Sequence, residues 1–207
     1  MNERPAVPAE WHSMSKKRII IGASGASGTP LLVEVLRTLR EDPDWESVLI
    51  MTEGAKLTAG YESELSVAEI EALADLVLDP AQIDAGPASG SWPAEGMLVV
   101  PCSMKTVAGI RSGYADNLLL RAADVTLKEG RPLVLCARES PLSAIHLRNL
   151  YELSMIPGVR IIPPMLSYYH EPKSLEDLTC QVAARLLAPF GIEKKGFRRW
   201  QESASEG

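Results

Sequence analysis

The chain has 207 residues, 46% of them apolar and 23% charged, with a net charge of −6. An acidic chain lacks the basic face that nucleic acid or an anionic membrane surface requires, so any phosphate recognition has to be local. Three dispersed cysteines, Cys102, Cys136 and Cys180, with no CxxC pair, argue against a disulfide framework or a zinc site and for reduced thiols in the cytoplasm.

No apolar run approaches the roughly 20 residues of a membrane span. Residues 1–17 carry Pro5 and Pro8 and no apolar h-region. They read as a flexible leader rather than a signal peptide. A single α/β domain is expected over 18–200, followed by a short tail, 201–207.

Residues 18–23, with Ile19, Ile20 and Ile21 in succession, read as a buried strand. A glycine-rich turn follows at 22–28. Residues 29–40 place Leu32, Val35, Leu36 and Leu39 on one helical face, with Pro30 tolerated in the first turn. A second strand is expected at 47–51 and a helix at 52–61. Ser66 is placed to cap another helix running to 74, and 76–78 form a short strand. Residues 83–93, rich in Gly, Pro and Ser, read as a loop.

The strand at 97–100 stops at Pro101. Helices are expected at 106–112 and 117–128, a strand at 132–137, and a helix at 141–155 with Leu142, Ile145, Leu150 and Leu153 inward. A strand at 159–162 meets Pro163 and Pro164. Ser174 caps a last helix, 175–190, with Glu176 and Asp177 in its first turn. Alternating strands and helices imply parallel pairing with right-handed crossovers, hence a three-layer Rossmann-like, flavodoxin-like sheet. Ligands of such sheets bind beyond the carboxyl ends of the strands, where the motifs are expected to fall.

Four segments carry chemistry. In the turn 22–28, closely spaced glycines admit a ligand, Ser24 and Ser27 add hydroxyls, and the next helix offers N–H groups to a phosphate. The same turn suits a nicotinamide dinucleotide, with Glu53 near the position of a ribose-binding acid. Pro101-Cys102-Ser103-Met104-Lys105-Thr106 follows a strand and supplies hydroxyls at a helix start; a plain capping turn is the competing reading.

Arg121, Lys128, Arg138 and Glu139 form the third group. Arg138 and Glu139 follow a strand, so a guanidinium could grip phosphate while a carboxylate moves a proton. Arg121 and Lys128 also fit a solvated helix face paired with Glu129. The fourth group is Ser167-Tyr168-Tyr169-His170 with Arg185, where a phenol and a guanidinium could share one phosphate. His170 and His146 are read as structural.

Taken in order, these runs resemble the flavin prenyltransferase family of the UbiX type, in the versions that accompany hydroxyarylic acid decarboxylases. The resemblance rests on Gly25-Ala26-Ser27-Gly28, Ala88-Ser89-Gly90-Ser91, the run 101–106, Arg121 to Asp124, Leu127-Lys128-Glu129, Arg138 to Leu142, Ile145 to Asn149, and Tyr169-His170. It spans about residues 18–200. It implies a metal-independent transferase that joins the dimethylallyl group of dimethylallyl phosphate to reduced FMN at N5 and C6. The product, prenylated FMN, would serve a UbiD-type decarboxylase. It also implies a homo-oligomer, a dodecamer, with sites between subunits.

By the same resemblance Gly25, Ala26, Ser27, Thr52, Ser89, Ser103, Met104, Lys105, Thr106 and Arg138 would hold FMN, with Ser27 near the reacting N5. Lys128, Tyr169 and Arg185 would bind the substrate phosphate, with Arg121 nearby. Glu139 would transfer a proton and Glu62 would reach in from a neighbouring subunit. The chain departs from the family pattern at Glu53, Ile83 and Gly130, where Lys, Trp and Arg are common. Other readings are an FMN-binding partner subunit without catalysis, an NAD(P)-dependent oxidoreductase, and a decarboxylase in its own right, related to the flavin-dependent cysteine decarboxylases of similar fold.

Overall fold

The structure, a computed structural model, describes residues 16–198. Six parallel strands are β1 (Lys17–Ala23), β2 (Trp45–Met51), β3 (Leu76–Leu78), β4 (Gly96–Cys102), β5 (Leu133–Ala137) and β6 (Val159–Ile161). They lie in the order β3-β2-β1-β4-β5-β6. This is the doubly wound Rossmann arrangement, whose strand order reverses between β1 and β4. The helices are α1 (Thr29–Glu41), α2 (Glu53–Glu62), α3 (Val67–Glu71), α4 (Met104–Ser112), α5 (Leu118–Lys128), α6 (Ala144–Ser154) and α7 (Leu175–Leu187).

The sheet is covered on both faces, so the inner stretches of β1, β2, β4 and β5 are apolar rather than alternating. Ile19 and Ile21 enter a core with α1 and α7, while Ile20 enters a second core with α4 and α5. Leu32, Val35, Leu36 and Leu39 of α1 are buried, as the helical spacing requires. Each such side chain contributes about 1.5–3 kcal/mol relative to exposure. Ser66–Glu69, Ser143–His146 and Ser174–Asp177 form capping boxes, and Thr52, Ser103 and Asn117 cap α2, α4 and α5. A capping side chain is worth about 1 kcal/mol.

Several boundaries differ from expectation. The first strand begins at Lys17, inside the expected leader; the rest of that leader that precedes Lys16, and the tail 201–207, lie outside the described residues. Strand β4 runs on past Pro101 to Cys102, with a register shift against β5 between Val99 and Cys102. Helix α4 starts two residues early because Ser103 caps it. Helix α3 stops at Glu71, and the loop before β4 holds a 3-10 turn, Gly86–Ala88.

Helix α6 starts at Ala144, and Leu142 and Ile145 are exposed rather than inward. Its inward stripe is His146, Asn149, Leu150 and Leu153, spaced by three and four residues. That register leaves Ile145 outside.

Candidate active site

The carboxyl edge of the sheet, at the β1–β4 reversal, is closed by backbone bonds between neighbouring turns. Thr52 donates its N–H to the Ala23 carbonyl at 3.0 Å, Ser24 to Pro101 at 3.0 Å, and Arg138 to Cys102 at 3.1 Å. The segments carrying Gly25, Ala26, Ser27, Thr52, Ser103, Met104, Lys105, Thr106, Arg138 and Glu139 therefore meet in one cradle.

Ser24 ties the cradle together. It is buried, and its Oγ accepts the Ser103 N–H at 2.8 Å and contacts the Ser103 Oγ and the Pro101 carbonyl, each at 3.3 Å. The Ser103 Oγ continues to Thr106 Oγ1 at 3.2 Å. The sequence shows Ser24 only as one more turn hydroxyl; its neighbour 79 residues away is what singles it out. Met104 and Thr106 are buried, so Met104 offers a ligand its backbone, whereas Lys105 is exposed 3.9 Å from Asp116.

The turn 24–28 makes room for a flat ligand. A Cβ on Gly25 would stand 3.2 Å from the Gly54 backbone, so the first and second turns approach more closely than side chains allow. Gly28 has φ 137°, a conformation that L side chains rarely adopt. The N–H groups of Gly25 and Ser27 have no acceptor among the described residues. This cradle fits a flavin.

The start of α1 is not the free anion seat expected from the turn. Glu62 Oε2 accepts the N–H groups of Gly28 at 2.9 Å and Thr29 at 3.0 Å, and Pro30 has no N–H to offer. Burial pushes the Glu62 carboxyl up, but the Ser27 hydroxyl, these two N–H groups and the Thr29 hydroxyl outweigh it and hold it below the usual range. Glu62 thus caps the first turn of α1 within its own chain. The open helix start belongs to α4, where the Met104 and Lys105 N–H groups have no acceptor among the described residues.

A pocket of about 400 Å³ lies beside Ser27 and Glu62, walled by Pro30, Leu31, Leu166, Leu175 and Val182. Arg138 and Glu139 stand exposed just past β5, with Glu139 Oε1 accepting the Ser140 N–H at 2.9 Å. Among the described residues no cluster of His, Cys, Asp or Glu could hold a metal ion, and no helix is long and apolar enough to cross a membrane.

Three expected site residues, Ser89, Arg121 and Lys128, lie away from this cradle. Helix α5 delivers Lys128 to the amino edge, where β5 begins, because a helix that precedes a parallel strand ends where that strand starts. Lys128 pairs there with Glu129 at 2.5 Å, beside the loop of Ser89. Arg121, earlier on α5, pairs with Asp124 at 2.6 Å.

Tyr169 and Arg185 belong to the opposite face, with α7. Both are exposed. The turn after Tyr169 folds back along the helix, since His170 shares a pocket with Asp177 and Gln181, one helical turn before Arg185. His170 engages Arg198 through its carbonyl, while its Nε2 is buried without a partner among the described residues. His146 is a capping residue: its Nδ1 accepts the Ser143 N–H at 3.3 Å.

Comparison with known proteins agrees with this geometry. The Flavoprotein family profile matches residues 8–185. A probable UbiX-like flavin prenyltransferase of Escherichia coli O157:H7 is 50% identical, covering 89% of this chain and 93% of that protein. The chain belongs to the UbiX-type flavin prenyltransferase family. Among solved structures of this family's fold, a dodecameric FMN-dependent UbiX-like decarboxylase from Escherichia coli O157:H7 matches with TM-score 0.87 and 50% identity, over 89% of this chain and 99% of that one. AnUbiX (PadA1), in complex with FMN and dimethylallyl pyrophosphate, matches with TM-score 0.87 and 44% identity, over 90% and 98%. The UbiX-type membership accounts for the glycine cradle better than a nicotinamide site does: Glu53 is turned to Lys56, at 3.7 Å.

Proposed function

We propose that this protein transfers the dimethylallyl group of dimethylallyl phosphate to reduced FMN, giving prenylated FMN. The observation that carries this reading is the 50% identity to a probable UbiX-like flavin prenyltransferase across 89% of the chain, with the turn 24–28, Thr52, the run 103–106 and Arg138 gathered at the carboxyl edge. Reduced FMN supplies the nucleophile when bound.

The chain's residues supply position and charge. The turn 25–27, Thr52, Ser103 to Thr106 and Arg138 hold the flavin, and the open start of α4 favours its phosphate. Ser27 would stand near the reacting nitrogen when the flavin is bound. Glu139 holds or moves a proton at the exposed rim. Lys128, Tyr169 and Arg185, with Arg121 nearby, stabilise the departing phosphate dianion. Within one chain these cations lie on different faces, so we place the complete site between copies of the chain, in an assembly like the dodecamer of the E. coli relative. The reaction belongs in the cytoplasm, and a UbiD-type decarboxylase receives the product.

The test is anaerobic incubation of the purified protein with reduced FMN and dimethylallyl phosphate. A flavin heavier by one five-carbon unit is expected. Flavin bound but unchanged would favour a carrier subunit. Carbon dioxide released from an aromatic acid by the protein alone would favour a decarboxylase.

A further inference from the structure

The loop before β4 is fastened from beneath by a side chain outside every motif discussed above. Arg131, in the α5–β5 turn, donates from Nη2 to the Gly90 carbonyl at 2.8 Å and from Nη1 to the Trp92 carbonyl at 3.1 Å. The guanidinium of Arg18 stacks on the Trp92 ring, 4.5 Å from its centre. The ring lies against Gly86, where a Cβ would come within 2.5 Å of Trp92 Nε1. The loop is therefore held at Gly86, Gly90 and Trp92, although most of it faces solvent.

This fastening has a direction. The Gly90 carbonyl and the Ser91 N–H belong to one trans peptide and point opposite ways. Pulling the carbonyl inward to Arg131 turns the Ser91 N–H outward, where it meets no acceptor among the described residues. The hydroxyls of Ser89 and Ser91 lie 2.9 Å apart, both residues exposed. Lys128 completes the edge together with its partner Glu129, whose carboxylate a phosphate would have to displace: a Cβ on Gly90 would stand 2.0 Å from Glu129 Oε1 and 2.7 Å from Lys128 Nζ. An N–H, two hydroxyls and an ammonium thus share one edge, all donors suited to a phosphate.

We propose that Arg131 is a positioning residue that holds the Ser91 N–H in register with Lys128 for the substrate phosphate. This rests on the prenyl-transfer reading above. A flat two-pronged donor is what two carbonyls two residues apart require; a lysine could not satisfy both with the same geometry.

The experiment compares the full-length protein with Arg131→Ala and Arg131→Lys, varying dimethylallyl phosphate at saturating reduced FMN. Arg131→Ala is expected to raise the half-saturating concentration of dimethylallyl phosphate about tenfold, with kcat and FMN affinity each changed less than about threefold. Arg131→Lys should fall between, and added guanidinium should restore part of the Arg131→Ala loss. An unchanged half-saturating concentration overturns the proposal. So does a joint loss of kcat and both affinities that follows the thermal midpoint. If Arg131→Ala does not assemble, Arg131→Lys decides on the same readout. Should the unsubstituted protein make no prenylated flavin, the prenyl-transfer reading fails instead.

Discussion

Glu62 Oε2 lies 2.9 Å from the Gly28 N–H of its own chain, where an anionic ligand would otherwise meet the start of α1. The carboxylate both stabilises the helix and keeps its first turn closed to phosphate. Ser27, next to this contact, is thereby held at the mouth of the apolar pocket.

Replacing Glu62 with Gln removes a charge from a helix N-terminus and should cost about 0.5–1 kcal/mol at neutral pH. The folded-state carboxyl titrates below its ordinary value of 4.5, so its contribution is complete above that value and is lost as pH falls through the folded value. Urea unfolding of both proteins between pH 7 and pH 3 should show the gap closing at the acid end. A gap independent of pH would mean that the ionised carboxylate is not what stabilises α1.

Ser24→Ala should cost more than an ordinary surface change. It leaves the Ser103 N–H without its 2.8 Å acceptor inside the protein, a loss of about 1–3 kcal/mol. FMN affinity should fall with it, because Ser103 begins the helix whose N–H groups face the cradle. Urea unfolding and flavin fluorescence titration measure the two effects; loss of stability with FMN affinity intact would separate Ser24 from the cradle.

Glu139→Gln should leave FMN binding intact and slow prenylation about a hundredfold, as expected for loss of a proton-transfer group. The side chain is exposed and, among the described residues, makes only a local bond to Ser140, so stability should hardly change. Normal turnover would reassign the proton transfer.

The cysteines should react with iodoacetamide at pH 8 in a set order. Burial lifts the Cys136 thiol up to about 12, and burial together with Cys136 lifts Cys102 further. Cys180 is also raised by burial but is partly accessible. Mass spectrometry of peptides should show Cys180 labelled first, and Cys102 and Cys136 only after denaturation. Early labelling of Cys136 would show that the sheet opens readily.

Much of the fold was legible because the isoleucine run of β1 and the leucine spacing of α1 report burial directly. Helix α6 was harder, since Ile145 and Leu150 are equally apolar and only the docked register distinguishes them. The cradle was legible in its parts: Gly25, Ser103 and Arg138 each follow a strand, and every parallel strand ends on the same edge. What could not be read was pairing across distance. Nothing near Glu62 in sequence points to Gly28, and nothing near Gly90 points to Arg131, 41 residues on. Lys128 was misplaced because a residue just before a strand and one just after it look alike as motifs but stand at opposite ends of the sheet.

If the complete site lies between copies, as proposed above, that separation makes dilution a form of inhibition. On the function proposed above, a solitary copy would own every group the reaction needs and still be idle, its Lys128 ammonium standing by the start of β5 while the glycine cradle lies at the other end of the sheet. Turnover per molecule should then decline as the protein is thinned out, and recover on concentration without any repair of the chain.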